Sequence, residues 1–168
     1  EMLCRKYRFS IQLKTTYGGL TRFQSVRNGL KLIETDGVVA IHDGVRPLVD
    51  KEIIGASFHI ASIHGSAIAA VRLKESIRET DKDHTRAVDR SRFRVIQTPQ
   101  TFRVSLIKKA YELDEDTEFT DDASVAEKAG FKISLFEGSY TNIKITTPED
   151  LITARALLKA RTVSATNI

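Results

Sequence analysis

The order of apolar and polar positions along the chain predicts helices and strands in alternation. Apolar residues recur every three or four positions over about 22–35, which is typical of an amphipathic helix. A wholly apolar run at 38–41 predicts a short strand buried on both faces. A second helix opens with Asp50 as its N-cap, and a second buried strand follows at 67–71. This alternation predicts a parallel sheet with right-handed crossovers.

Further elements are predicted on both sides of this core. In chain order they are a helix end at 1–8, a strand at 9–13, a strand at 93–96, a turn at 97–100, a helix at about 104–113, a short helix capped by Thr120 and ending at Gly130, strands at 132–136 and 142–145, and a last helix. The start of the last helix is the clearest, because Thr147 is a good cap, Pro148 takes the first helical position and Asp150 completes a capping box.

The alternation breaks between residues 72 and 94. Two charged segments, 73–79 and 86–89, flank a highly charged linker at 80–84, and this pattern predicts an exposed hairpin. An isolated two-stranded hairpin is barely stable in water. We therefore expect this hairpin to pack on a partner subunit.

The composition indicates a single globular domain and disfavours nucleic-acid-binding, disulfide-bonded and membrane-spanning proteins. With 168 residues, of which 41% are hydrophobic, the chain can form one domain with a real core. The net charge of +4 is spread along the sequence and suits small phosphorylated ligands, whereas the absence of basic runs disfavours nucleic acid. The single cysteine, Cys4, excludes an internal disulfide, and apolar runs are too short to span a bilayer. A cytoplasmic protein with no membrane segment is expected.

Polar residues follow the first buried strand at once, which is where open α/β sheets bind ligands. Asp43 offers a carboxylate, Gly44 lets the backbone approach a ligand closely, and Pro47 stiffens the exit so that Arg46 projects from a defined turn. A carboxylate three residues before an arginine suits a ligand with hydroxyls and phosphates. The alternative is a polar turn with an internal Asp–Arg pair.

A glycine pair precedes the first predicted helix. Gly18 and Gly19 can present backbone N–H groups to an anion or a base edge, and Arg22 and Ser25 can add side-chain bonds from the first turn. The motif lacks the full spacing of a nucleotide fingerprint. The alternative is a tight turn before the polar face of a helix.

Two later positions are candidates for binding phosphate. Lys144 follows an apolar-flanked strand end, where a compact positive charge can stabilise phosphoryl oxygens, although a solvent-facing lysine is the alternative. Thr120 offers a hydroxyl beside two acids that favour a helix start for structural reasons. The four histidines have no metal-ligand spacing, and only His42 lies in a plausible site. No side-chain metal site is predicted.

Taken in order, these segments resemble the 2-C-methyl-D-erythritol 4-phosphate cytidylyltransferases. The segments that carry the resemblance are Gly18-Gly19 with Arg22, Ser25 and Val26; His42 to Pro47; Glu75-Ser76-Ile77; Val88-Asp89-Arg90; Gln97 to Gln100; Thr120 to Ala123; Asn142-Ile143-Lys144; and Thr147 to Asp150. The resemblance implies an α/β fold, a Rossmann-like three-layer domain with a mainly parallel sheet and a β-arm at about 72–94. It further implies transfer of CMP from CTP to the polyol phosphate with Mg²⁺, for isoprenoid precursor synthesis, in a homodimer whose arms cross.

The resemblance also assigns roles to individual residues. It implies that the nucleotide is bound by Gly18, Gly19, Arg22, Ser25, Asp43 and Gly44. It implies that the polyol phosphate is bound by Arg46, Thr120, Asp43 and, from the partner's arm, Ser76. Lys144 and Arg90 take the catalytic roles: Lys144 stabilises charge at the α-phosphate, and Arg90 reaches the substrate from the other subunit.

The chain departs from the family at its beginning, because the glycine-rich triphosphate loop and its basic residues are absent. We therefore expect residues 1–168 to form a single nucleotidyltransferase domain that is N-terminally incomplete and inactive without that segment. Either the chain is part of a longer protein, or it is a non-catalytic fragment that binds nucleotide and dimerises. A ribitol-5-phosphate cytidylyltransferase is the other enzyme considered, and a nucleic-acid-binding domain is a distant third.

Overall fold

In a computed structural model, the described residues are 6–7 and 13–166. The chain divides into two compact units, Glu1–Thr35 and Asp36–Ile168. The helix end predicted at 1–8 and the strand predicted at 9–13 lie outside the described residues, apart from residues 6, 7 and 13.

In the first unit, helix α1 spans Arg22–Lys31, four residues shorter than predicted. Thr21 caps it, because its hydroxyl accepts the backbone N–H of Gln24 at 3.2 Å. The phenyl ring of Phe23 and the side chain of Leu30 are buried, so the spacing of apolar positions identified the correct face.

The second unit contains the other regular elements described. The strands are β1 (Val38–Ile41), β2 (Ser66–Arg72), β3 (Arg78–Asp81), β4 (His84–Ala87), β5 (Arg94–Arg103) and β6 (Leu135–Glu137). The helices are α2 (Lys51–His64), α3 (Val104–Ala110), α4 (Asp122–Lys128) and α5 (Pro148–Thr166), with a 3₁₀ turn at Arg90–Arg92. None of the helices in the part of the chain that the structure describes is long and apolar enough to cross a membrane.

Four strands form the main sheet in the order β1-β5-β2-β6. β2 pairs in parallel with β6, and β5 runs antiparallel to both β1 and β2. The α/β class is therefore confirmed, and three of the four strands run in one direction as predicted, while β5 makes the sheet mixed. β2 is buried along almost its whole length, because it lies between two strands. The side chains of Ile68, Phe102 and Ile107 form the centre of the core.

The predicted Gln-Thr-Pro-Gln turn was wrong, since these residues lie in the middle of β5. Proline indicated a turn because it cannot donate to a strand ladder. Between the pairs Ile68–Gln100 and Ala70–Ile96 the register shifts, so three residues of β5 lie opposite one of β2. Pro99 lies in this bulge, where no ladder donor is needed, and its peptide bond to Thr98 is cis.

The predicted hairpin is present as a separate two-stranded sheet. Its strands lie nearer the turn than the predicted segments 73–79 and 86–89, and the first strand is shorter than predicted. Pairing of Asp81 with His84 leaves a two-residue turn in which Lys82 takes the left-handed φ of 46° that tight hairpin turns require. Every residue of β3 and β4 is exposed. We call residues 72–94 the arm.

Three other predictions differ from the structure. Asp121, not Thr120, caps α4: its carboxylate accepts the N–H of Ser124 at 2.8 Å, and the Ser124 hydroxyl binds the Asp121 N–H. The strand predicted at 142–145 is irregular. Its backbone N–H groups bond outside a ladder, that of Asn142 to the Ser139 carbonyl and that of Ile145 to the Val45 carbonyl. The strand predicted at 132–136 is shorter and lies later, as β6.

The start of α5 matches the prediction. The Asp150 carboxylate accepts the N–H groups of Thr146 and Thr147 at 2.9 and 2.8 Å, while the Thr147 hydroxyl accepts the Asp150 N–H at 3.4 Å. These bonds satisfy donors that a helix start otherwise leaves open, which makes this a capping box.

Candidate active site

The carboxylate of Asp43 lies between two cations just beyond the end of β1. Its Oδ2 is 3.2 Å from Lys144 Nζ and 3.4 Å from Arg46 Nε. Asp43 and Arg46 are mostly buried, with side chains 17% and 11% exposed, whereas Lys144 is 49% exposed. The structure thus brings together three of the predicted site residues. Two positive charges around one carboxylate leave a net positive site that favours an anionic ligand.

Arg46 also connects the two segments that carry these charges. Its Nη1 donates to the carbonyl oxygen of Asn142 at 2.8 Å, and the N–H of Ile145 donates to the carbonyl of Val45 at 2.9 Å. A β-turn closed by the Arg46 N–H and the Asp43 carbonyl, 3.0 Å apart, fixes the first segment. Lys144 is therefore positioned by backbone contacts on both sides of it.

Residues Gln97–Gln100 of β5, which we call the β5 hub, contact three loops of the second unit that carry predicted site residues. Gln97 Nε2 donates to the carbonyl of Ser139 at 2.8 Å, in the loop before Lys144. Thr98 Oγ1 accepts the N–H of Asp43 at 3.0 Å. Gln100 Nε2 donates to the Asp121 carboxylate at 2.8 Å, beside Thr120.

Asn142 adds a further bond to the hub. Its side chain is fully buried, and Nδ2 donates to the carbonyl of Thr98 at 2.8 Å. Among the described residues its Oδ1 has no hydrogen-bond partner. Sequence reasoning missed these hub contacts, and the available signal was a run of hydrogen-bonding side chains around a proline inside an apolar strand.

Arg161 of α5 holds the same region from the other side. Its guanidinium donates to the carbonyl of Leu48 at 2.7 Å and to the Thr141 hydroxyl at 3.1 Å, and it lies 2.8 Å from Asp50 Oδ1. Asp50 precedes α2 as predicted but makes no side-chain cap bond, because its carboxylate binds Arg161 instead. Nothing in the spacing of α5 indicated this contact.

Ser76 and Arg90 lie on the arm and are exposed. Arg90 Nη1 donates to the carbonyl of Lys74, which holds its guanidinium at the root of the arm. Asp89 begins the 3₁₀ turn, and hydrogen bonds from the hydroxyl and N–H of Ser91 lower the pKa of its carboxyl. The predicted substrate roles of Ser76 and Arg90 require a partner subunit and stay predictions.

In the first unit, Gly18 and Gly19 lead into α1 as predicted. The N–H of Gly19 donates to Ser25 Oγ at 2.9 Å, and the N–H of Leu20 donates to Gln24 Oε1 at 3.0 Å. These two donors are thus used within the turn, contrary to the expectation of free N–H groups. A Cβ at Gly19 would collide with Gln24, so this position requires glycine.

The residues described do not fit a divalent cation held by side chains. They contain no group of three or more histidine, cysteine, aspartate or glutamate side chains placed to bind a metal. Asp43, the carboxylate at the centre of the site, is neighboured by Lys144 and Arg46 rather than by other acids.

Comparison with known proteins decides the family. The sequence profile of 2-C-methyl-D-erythritol 4-phosphate cytidylyltransferase matches residues 4–160. The chain belongs to this family. The cytidylyltransferase of Porphyromonas gingivalis is 47% identical over 159 residues, covering 94% of this chain and 72% of the relative. That of Bacteroides thetaiotaomicron is 43% identical over 158 residues, with 94% and 72% covered.

Solved structures of the cytidylyltransferase family have the same fold. The 4-diphosphocytidyl-2C-methyl-D-erythritol synthase of Anaerococcus prevotii superimposes with a TM-score of 0.85 at 31% identity, covering 94% of this chain and 74% of that one. The Thermus thermophilus cytidylyltransferase gives 0.76 at 28% identity, covering 90% and 78%. The Rossmann-like α/β class expected from the sequence is thereby confirmed.

Proposed function

We propose that the protein transfers CMP from CTP to 2-C-methyl-D-erythritol 4-phosphate and releases pyrophosphate, a step in isoprenoid precursor synthesis. Family membership supports the reaction class. The observation that carries the proposal in this chain is the convergence of Lys144 and Arg46 on Asp43, in loops fixed by the β5 hub.

In the proposed reaction, an oxygen of the polyol phosphate attacks the α-phosphorus of CTP in line. A new P–O bond forms as the bond from the α-phosphorus to the bridging oxygen breaks, and pyrophosphate leaves with that electron pair. Such a reaction needs positioning and neutralisation of charge rather than a covalent enzyme intermediate.

The residues divide this work by position. Lys144 is exposed enough to reach a ligand and stabilises charge at the α-phosphate, while the more deeply held Arg46 binds the polyol phosphate. Asp43 and Gly44 bind the ribose, and Thr120 adds a hydroxyl to the polyol phosphate site. In the first unit, the nucleotide is bound by Gly18, Gly19, Arg22 and Ser25.

In the proposed reaction, Mg²⁺ would be bound by the substrate CTP. CTP binds Mg²⁺ through its phosphate oxygens, and that ion would supply further charge neutralisation. Because the described side chains form no cation site, the chain's own contribution is the two cations beside Asp43.

We also propose a cytoplasmic homodimer. The exposed arm supports the dimer, because a two-stranded sheet on its own is only marginally stable. In that dimer, Ser76 and Arg90 would reach the polyol phosphate in the partner's site.

The test is a transfer assay with protein expressed from the complete gene. CTP, Mg²⁺ and 2-C-methyl-D-erythritol 4-phosphate should give pyrophosphate and, in equal amount, a product in which a diphosphate links the polyol to cytidine. Both are followed by ³¹P NMR. Ribitol 5-phosphate serves as the competing acceptor and UTP as the competing donor. Faster transfer to ribitol 5-phosphate would replace the proposed substrate, and CTP binding without turnover would indicate a non-catalytic protein.

A further inference from the structure

His42 lies between the end of β1 and the Asp43–Arg46 turn, and its imidazole hydrogen-bonds on both sides. Its Nε2 is 3.0 Å from the carbonyl oxygen of Arg46, and its Nδ1 is 3.0 Å from the hydroxyl of Thr98. The same hydroxyl accepts the N–H of Asp43 at 3.0 Å. The ring thus connects the far end of the turn to the β5 hub.

The chemistry of the partners fixes the direction of each bond. The Arg46 carbonyl oxygen is only an acceptor, so His42 Nε2 must carry a proton. The Asp43 N–H is only a donor, so Thr98 Oγ1 accepts it and keeps its own proton for a further bond. In its neutral form the imidazole then has one tautomer that satisfies all its partners, with Nδ1 accepting from the Thr98 hydroxyl.

The Asp43–Arg46 turn is exposed in its middle, so hydrogen bonds from His42 can restrain it. It carries two residues of the candidate site, Asp43 and Arg46, yet Gly44 and Val45 between them are exposed. A backbone bond from the Arg46 N–H to the Asp43 carbonyl closes the turn, and the Val45 carbonyl accepts the N–H of Ile145. The His42 bond to the Arg46 carbonyl restrains the backbone of the residue whose guanidinium binds Asp43 and Asn142.

We propose that His42 is a positioning residue that acts as the Nε2–H tautomer, holding the Arg46 carbonyl so that Arg46 and Asp43 meet substrate correctly. The proposal rests on the function proposed above. Its specific content is that the donor at Nε2 matters more than the acceptor at Nδ1, since only the Nε2 bond restrains Arg46 directly.

Two substitutions separate the bonds. The amide nitrogen of His42→Gln can take the place of Nε2, whereas the shorter amide of His42→Asn can take the place of Nδ1. His42→Phe removes both bonds and keeps a ring. Because small displacements in an active site cost up to about 100-fold, we expect kcat to fall about tenfold or more in His42→Phe and His42→Asn. His42→Gln should recover to within about threefold of the parent, in line with a hydrogen bond retained.

The matched controls are His59→Phe, His59→Asn and His59→Gln on the exposed face of α2, which should leave kcat and KM unchanged. Assays are run well below the temperature at which each variant unfolds, so that a loss of folded protein is not mistaken for a loss of catalysis. An active His42→Phe enzyme, or recovery by asparagine and not by glutamine, would overturn the proposal.

A measurement independent of turnover completes the test. In ligand-free parent protein, ¹⁵N–¹H correlation through two bonds should give His42 a protonated-type Nε2 and an unprotonated-type Nδ1, with the signals assigned by their loss in His42→Gln. The opposite tautomer would reject the role of His42 even if the transferase reaction is observed. The predicted tautomer in a protein with no transferase activity would instead locate the failure in the proposed function.

Discussion

Lys144 is held at the candidate site by an interaction that a ligand can replace. Its side chain is half exposed, and its ammonium nitrogen lies 3.2 Å from Asp43 Oδ2. Ion pairs exposed to this degree contribute only about 0–1 kcal/mol, because water screens them. A phosphate with two or more charges therefore competes well for Lys144, while the deeper Arg46 guanidinium stays in place.

We predict that Lys144→Ala lowers kcat about 100- to 1000-fold in protein expressed from the complete gene, with little change in stability. Loss of one preorganised donor to a developing oxyanion typically costs about 2.7–4 kcal/mol of barrier. Steady-state pyrophosphate release measures the effect. Lys132→Ala, another exposed lysine outside the site, is the control and should stay at the parent rate. A Lys144→Ala enzyme within twofold of the parent would contradict the assignment.

At the scale of elements, the start of α5 gives a pH-dependent prediction. Bonds from the N–H groups of Thr146 and Thr147 lower the pKa of the Asp150 carboxyl. A carboxyl whose pKa is lower in the folded state stabilises the fold above its unfolded pKa of about 3.9. That stabilisation disappears as the pH falls through the lowered folded-state value.

Asp150→Asn should therefore lower the free energy of unfolding at pH 7, and the difference from the parent should shrink as the pH falls below about 4. Urea titrations at several pH values measure it. Asp114→Asn, at an exposed position outside a helix start, provides the comparison. If the difference for Asp150→Asn is the same at pH 3 and pH 7, the charge of the carboxylate is not the source of the stabilisation.

Tyr140 connects the root of the arm to the loop that leads to Lys144. Its hydroxyl donates to the carbonyl of Arg72 at 2.9 Å, and its ring lies 3.9 Å from the ammonium of Lys74. Lys74 in turn accepts the Arg90 guanidinium through its carbonyl oxygen. The orientation of the arm thus depends on a residue of the site loop.

Tyr140→Phe removes the hydroxyl bond and keeps the ring contact. We expect trypsin to cleave the arm about 2- to 10-fold faster than in the parent protein. One hydrogen bond contributes about 0.5–1.5 kcal/mol to the free energy of local opening where the arm joins the sheet. Cleavage rates by mass spectrometry measure this, and Tyr17→Phe in the first unit is the control. Equal cleavage of parent and Tyr140→Phe would mean that the hydroxyl does not restrain the arm.

The elements show where sequence reasoning was sufficient and where it was not. Buried runs such as 67–71 and the capping box at Asp150 were predicted correctly, because they depend on local pattern and chemistry. The segment after Asn142 alternates like a strand, but its backbone bonds to the Asp43–Arg46 turn. Pro99 lies in a central strand because a bulge there means that no backbone N–H is required at its position. Both outcomes depend on partners distant in the sequence.

The same distinction applies to the site. Asp43, Arg46 and Lys144 were predicted from residue type and position at strand ends, and the structure brings them together. Arg161 and Gln100 were missed, because the loops that they hold are distant in sequence and no local pattern indicates the contact. Residue chemistry identified the groups suited to a phosphate, whereas the groups that position them required the fold.

For the whole molecule, the arm is the feature that one chain does not explain by itself. A cleft of about 540 Å³ lies beside its two strands, lined by apolar Ile77 and Phe93 and by charged side chains that include Arg86 and Glu79. These two charged side chains pair across the strands. In the proposed dimer, a second copy of the arm would cover this mixed apolar and charged surface.

Mixed dimers test whether Arg90 acts in the partner's site. Chains carrying Arg90→Ala and chains carrying Lys144→Ala should each be nearly inactive, and mixing them after unfolding should restore about one quarter of the parent activity, since a two-fold dimer of unlike chains has one intact site. The control mixes Arg90→Ala chains with chains that carry both Arg90→Ala and Lys144→Ala. No pairing of these chains has an intact site, so the mixture should stay inactive. No recovery in the first mixture would place Arg90 at its own chain's site.

The β5 hub has a consequence for directed evolution of substrate choice. Because Gln97, Thr98 and Gln100 each hold a different loop, a change that shifts this strand alters several parts of the site at once. Libraries aimed at new polyol phosphates should therefore keep the strand constant and vary exposed loop positions such as Val45 and Thr120. A graft of this site into another scaffold has to carry the strand along with the loops.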